Sequence, residues 1–69
     1  MTNQEIKDAV GKRIRLEFTP QAIGGRTRVG KIVGTLDGAD GMVVTFAPED
    51  EPERQVTYHA HYIRAVHLV

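Results

Sequence analysis

The chain has 69 residues, enough for one small domain, and its lack of cysteine excludes disulfides and thiolate chemistry. Nine basic residues balance nine acidic ones, so the net charge is zero and strong nonspecific binding to polyanions is not expected. No apolar run approaches the roughly 20 residues of a membrane span. Because the N-terminus also lacks the form of a signal peptide, the sequence predicts a soluble, cytoplasmic protein with no membrane partner.

The first predicted element is a short helix over about residues 3–10. Thr2 and Glu5 have the spacing of a capping box at its start. Three apolar residues fall at helical spacing on one face: Ile6, Ala9 and Val10. A helix of two or three turns is marginal alone, so this face is expected to pack on the rest of the domain.

Five strands are predicted after the helix. The first, over about residues 12–19, alternates strictly, with apolar residues on one side (Ile14, Leu16, Phe18) and charged residues on the other (Arg13, Arg15, Glu17). The others are predicted over about residues 27–36, 42–47, 54–59 and 63–68. Five short strands and one small helix are typical of a single, mainly β domain, here a small, strongly bent five-stranded antiparallel barrel.

The segment Asp37–Gly41 is predicted to be the turn of a hairpin between the second and third strands. Aspartate and glycine tolerate the positive φ angles that tight turns need. Gly30 and Gly34 interrupt the second strand, where glycine often marks a bulge or a bend. Aliphatic residues around Leu36 and Val44 are expected inside the barrel, with the arginines outside.

Charge is unevenly distributed along the chain. Residues 1–34 hold seven bases and three acids, and residues 35–69 hold six acids and two bases. This pattern fits either solvated surface charge or a basic face with an acidic loop. The bases expected to contact nucleic acid are Lys12, Arg13, Arg15, Arg26 and Arg28. The acidic loop at residues 49–53 is either a solvated connector or a docking site for a basic protein partner.

Histidines and a tyrosine cluster late in the chain, at His59, His61 and Tyr62. They are interpreted either as surface or subunit-contact residues or as groups that stack on bases. A His-x-His pair can bind zinc, but no third ligand follows at fixed spacing, so neither a metal nor a cofactor is predicted. No serine, cysteine or phosphate-binding loop is present, and the chain is predicted not to be an enzyme.

The segment Gly34–Asp40 resembles the motif of the Sm-like family: glycine, any residue, an aliphatic, three variable residues and aspartate. Met42–Phe46 resembles the apolar strand that follows it, and Gln55–His59 resembles a stretch in the Hfq branch. The resemblance covers most of the chain. It implies RNA binding, a base pocket between the turn that contains Asp40 and the segment His59–Tyr62, and a homo-oligomeric ring built by pairing edge strands.

A close rival resemblance is to SH3-like barrels, including KOW-type modules. They share most of this architecture and begin with a sequence segment similar to Val10–Ile14. The sequence therefore predicts a small RNA-directed, nucleic-acid-binding regulator that uses a basic strand face and loop. The alternative is a protein-interaction or assembly module with no nucleic-acid role, which zero net charge and the scarcity of aromatic residues favour.

Overall fold

The computed structural model describes residues 2–69 of the chain. Its elements, in chain order, are α1 (Asn3–Asp8), β1 (Arg13–Phe18), a one-turn 3-10 helix (Ile23–Gly25), β2 (Thr27–Gly38), β3 (Gly41–Pro48), β4 (Val56–His59), a second one-turn 3-10 helix (Ala60–Tyr62) and β5 (Ile63–Leu68). The prediction of a mainly β fold with a short N-terminal helix is confirmed.

The five strands form one antiparallel sheet in the order β4-β3-β2-β1-β5. Neighbours in sequence are mostly neighbours in the sheet, but β5 returns to pair with β1. The two edges of the sheet are therefore β4 and β5, and no pairing between them closes the sheet within residues 2–69.

Helix α1 covers one end of the sheet. The Thr2 hydroxyl accepts a hydrogen bond from the backbone N–H of Glu5 and donates one to its carboxylate, both at 3.3 Å. Ile6 and Ala9 are buried, as predicted. Val10 is exposed instead, because the helix ends at Asp8 and the chain has already turned.

The core lies on one face of the bent sheet. Every second residue of β1 is fully buried, which confirms the predicted alternation: Ile14, Leu16 and Phe18. Tyr58 of β4 packs against this cluster with its ring centroid 4.7 Å from that of Phe18. The core therefore spans the sheet from β1 to β4.

A β-bulge in β2 changes which of its residues face the core. The register against β3 shifts between Ile32 and Gly34, which leaves Val33 as an extra residue. Since side chains alternate along a strand, one extra residue moves those that follow to the opposite face. Leu36 is consequently 70% exposed, so the expectation that it lies inside is wrong, whereas Val44 is fully buried as expected.

The hairpin between β2 and β3 turns within the predicted segment Asp37–Gly41, but the turn is shorter than predicted because Asp37 and Gly38 continue β2. Gly38 pairs with Gly41, so Ala39 and Asp40 make a two-residue loop. Gly41 has φ of 107°, a conformation that side-chain-bearing residues rarely adopt. Asp40 therefore lies at the tip of the hairpin.

Candidate nucleic-acid interface

The outer face of β1 carries the exposed side chains of Arg13 and Arg15. Residues directly opposite each other on paired strands share a face. Lys31 of β2 lies opposite Arg13, and His67 of β5 lies opposite Arg15. Lys31 therefore lies with Arg13 and Arg15 on one face, called the basic face below. The alternation of exposed and buried residues in β2 before its bulge would have predicted that Lys31 lies there.

Arg13 is held by the acidic loop. Its Nε donates to Oε1 of Glu49, and a terminal nitrogen donates to Oε2 at 3.1 Å. This hydrogen bond raises the pKa of Arg13 and lowers the pKa of Glu49 from their ordinary values. The pair is about half exposed, so water and salt reach it.

Glu17 lies on the same outer face, and its carboxylate is close to two basic side chains. Its carboxylate is 3.0 Å from Nε2 of His67 and 3.9 Å from Nε of Arg64. The hydrogen bond with His67, followed by the charges of Arg64 and Arg15, lowers the pKa of Glu17 despite its partial desolvation. Within residues 2–69, Arg15 takes part in no direct ion pair, so its guanidinium is available to an anion.

The other predicted bases do not lie on the face formed by Arg13 and Arg15. Lys12 precedes β1 and borders a small cleft between α1 and β5. Arg26 precedes β2 and is exposed. Arg28 lies opposite the buried Leu16, so it projects from the core side of the sheet, and it borders clefts with the acidic loop.

The hairpin turn and the second 3-10 helix border one open cleft of about 460 Å³, which brings two predicted site residues, Asp40 and His61, together. Core side chains line it: Ile6, Met42, Ala60 and Ile63. Polar groups also line it: Asn3, Asp40, His61 and Arg64. Arg64 was not among the predicted site residues, because an isolated arginine in a strand carries no motif.

Three rings cluster beside this cleft. The ring centroid of His61 is 4.2 Å from that of Tyr62 and 5.1 Å from that of His59. The backbone N–H of Thr19 donates to the carbonyl of Tyr62 at 2.9 Å, which ties the 3-10 helix to the end of β1. His59 is more enclosed, and its Nδ1 has no hydrogen-bond partner within residues 2–69. His61 is the exposed member of the cluster.

Across residues 2–69, no three histidine or acidic side chains are grouped so that they could hold a metal ion. The same residues include no helix that is long and apolar enough to cross a membrane. Comparisons with protein families, with curated proteins and with solved structures find no match to the chain.

Proposed function

We propose that the protein is a small cytoplasmic, non-enzymatic regulator that binds RNA. The observation that carries this proposal is the convergence of Asp40, in the hairpin turn, and His61, in the second 3-10 helix, on one open cleft above buried apolar side chains. Protein sites that read RNA sequence take unstacked bases, which need an apolar surface, an aromatic ring and polar groups for the base edge. This cleft offers the ring of His61 and several polar groups, while its apolar side chains lie almost completely buried beneath them.

The basic face supplies affinity in this proposal. Arg15 and Lys31 are exposed on the outer face of the sheet, together with Arg13. Guanidinium groups match phosphate oxygens in geometry and charge. Since the chain as a whole has zero net charge, binding should be weak and sensitive to salt.

We also propose that the sheet bends into a barrel of the Sm-like type and that copies associate through their edges. The strand order supports the association of copies, because β4 and β5 are the two edges of the sheet. Exposed edges carry unpaired backbone groups and are ready to pair with another chain. If β4 of each copy pairs with β5 of the next, the contact is head-to-tail and can close into a ring.

The test is a fluorescence anisotropy titration of short uridine-rich and adenine-rich RNA at low salt. The wild type should bind, and the double variant R13A/R15A should bind more weakly. Failure to bind at tens of micromolar protein, or equal binding by the double variant, would contradict the proposal. Light scattering after size exclusion tests the assembly separately, since a monomer at the same concentration would rule out the ring.

A second candidate function is a protein-interaction module. The favouring observation is that two large apolar side chains of β2 are exposed at and beyond the bulge, Val33 at 50% and Leu36 at 70%. Exposed apolar surface can mark a contact site for another protein. The same RNA titration separates the two, because this candidate predicts no binding to any RNA.

A further inference from the structure

The cleft that contains Asp40 combines groups of opposite charge. Asp40 supplies a carboxylate from the hairpin turn, and Arg64 supplies a guanidinium from β5. Ile6 and Met42 also border the cleft, but they are only 1% and 3% exposed, so polar groups dominate its accessible surface. A ligand that satisfies both charged groups must carry hydrogen-bond donors on one part of its edge and acceptors on another.

We infer that this cleft takes a guanine base, an inference that deepens the proposed RNA binding and rests on it. Guanine carries two adjacent donors, N1–H and the N2 amino group, which match the two oxygens of a carboxylate. Its O6 and N7 are adjacent acceptors, and arginine donates to both in the commonest specific contact with this base. Asp40 would accept from the first pair and Arg64 would donate to the second.

The other bases meet the carboxylate of Asp40 less well. Uracil has a single donor, N3–H, between two carbonyl oxygens that would repel the carboxylate. Adenine and cytosine each place a ring-nitrogen acceptor beside their amino group. A carboxylate thus finds two neighbouring donors on guanine alone among the four bases, and leaving polar groups unpaired in a site is costly.

Asp40 has no ion-pair partner within residues 2–69, and Arg64 has only a long ion pair with Glu17. Nε of Arg64 lies 3.9 Å from Glu17, too long for a hydrogen bond, and its side chain is 68% exposed. Asp40 is exposed and forms no ion pair within residues 2–69. Asp37, in contrast, is 3.3 Å from Nζ of Lys7, so it is already used to attach α1 to the hairpin.

The test uses uridine heptamers that carry one central guanosine, inosine or adenosine, which avoids the self-association of guanine runs. The wild type should bind the guanosine heptamer roughly tenfold more tightly than the adenosine heptamer, as expected for one good bidentate contact. Inosine lacks only the N2 amino group, so its affinity should fall between the two.

The variant is Asp40→Asn, and the matched control is Asp37→Asn, which makes the same charge change in the same hairpin. D40N should lose the guanosine preference and the difference between guanosine and inosine, while D37N should retain both. A wild type that binds all heptamers equally, or a guanosine preference that survives in D40N, overturns the inference and leaves RNA binding intact. Guanosine monophosphate is titrated in parallel; if it binds while no heptamer does, the base site stands and the RNA function fails.

Discussion

Both carboxylate oxygens of Glu49, in the acidic loop, accept hydrogen bonds from the guanidinium of Arg13 in β1. The two residues are 36 positions apart, and their pairing lays an acidic group over the face proposed to bind phosphate. If RNA binds this face as proposed, a phosphate that reaches Arg13 displaces Glu49, and the loop competes with it. The contact is about half exposed, so the ion pair to be displaced is weak and screened by salt.

Replacement of Glu49 by glutamine should therefore strengthen RNA binding. Exposed ion pairs contribute at most about 1 kcal/mol, which corresponds to a gain in affinity of about two- to fivefold. Anisotropy titrations of wild type and E49Q at the same ionic strength measure it. Glu53→Gln, in the same loop, makes the same charge change away from Arg13 and serves as the control. Equal gains in the two variants would show a general charge effect and no competition.

The bulge in β2 predicts opposite results for two aliphatic residues of one strand. Ile32 precedes the bulge and is fully buried, whereas Leu36 follows it and is 70% exposed. Ile32→Ala should lower the free energy of unfolding by about 2–5 kcal/mol, and Leu36→Ala by no more than about 0.5 kcal/mol. Urea denaturation followed by circular dichroism measures both. A large loss from Leu36→Ala would place that side chain in a packed contact.

Gly30 should tolerate no side chain, while Gly34 should accept one. A Cβ at Gly30 would lie 2.2 Å from the carbonyl oxygen of Ala47 and 2.8 Å from the ring of Phe46, which forces β2 and β3 apart. At Gly34 nothing lies within 4 Å of such a Cβ. Gly30→Ala should cost about 1–3 kcal/mol or more, and Gly34→Ala should be close to neutral in the same assay. Equal stability of the two variants would contradict this close approach of the strands.

Local patterns in the sequence predicted the elements better than the faces of β2. The alternation in β1 gives both faces directly, because every second residue is apolar and buried. The prediction that Leu36 is buried is wrong because the bulge can be recognised only from the pairing of β2 with β3. Arg28 could not be assigned to a face for a similar reason, since its position depends on the register against β1.

The candidate cleft was only partly predictable. The turn at Asp40 and the ring of His61 were expected near each other through the family resemblance, and no spacing rule would have joined them. Arg64 enters the cleft because β5 returns to pair with β1, a long-range arrangement that carries no local signal. The contact between Glu49 and Arg13 also depends on how the loop folds back over the sheet.

Stability should depend on Glu17 in a defined pH range. The hydrogen bond with His67 and the nearby arginines lower the pKa of Glu17 below its ordinary value of 4.5. A carboxyl whose pKa is lowered by folding stabilises the protein above 4.5 and loses that contribution as the pH falls through the folded-state pKa. Glu17→Gln should therefore be less stable than wild type at pH 7, and the gap should narrow towards acid pH.

Denaturation midpoints at pH 7 and at about pH 3, below the ordinary carboxylate pKa, test this expectation. Glu53→Gln is the control, because Glu53 is an exposed loop residue that makes no ion pair within residues 2–69. A gap between wild type and E17Q that stays constant with pH would show that Glu17 contributes through packing and not through its charge.

Arg15 should contribute to RNA binding through charge alone. Its guanidinium lies on the outer face of β1 in no direct ion pair within the described residues, so a phosphate would have no ion pair to break there. Arg15→Ala should weaken binding equally for guanosine and adenosine heptamers and lower the slope of log affinity against log salt by about 0.7, the value for one phosphate on a single strand. Arg54→Ala is the matched control, since Arg54 pairs with Glu51 at 3.6 Å in the acidic loop. If R15A keeps the wild-type slope, or R54A lowers it as much, the outer face of β1 is not where the RNA backbone lies.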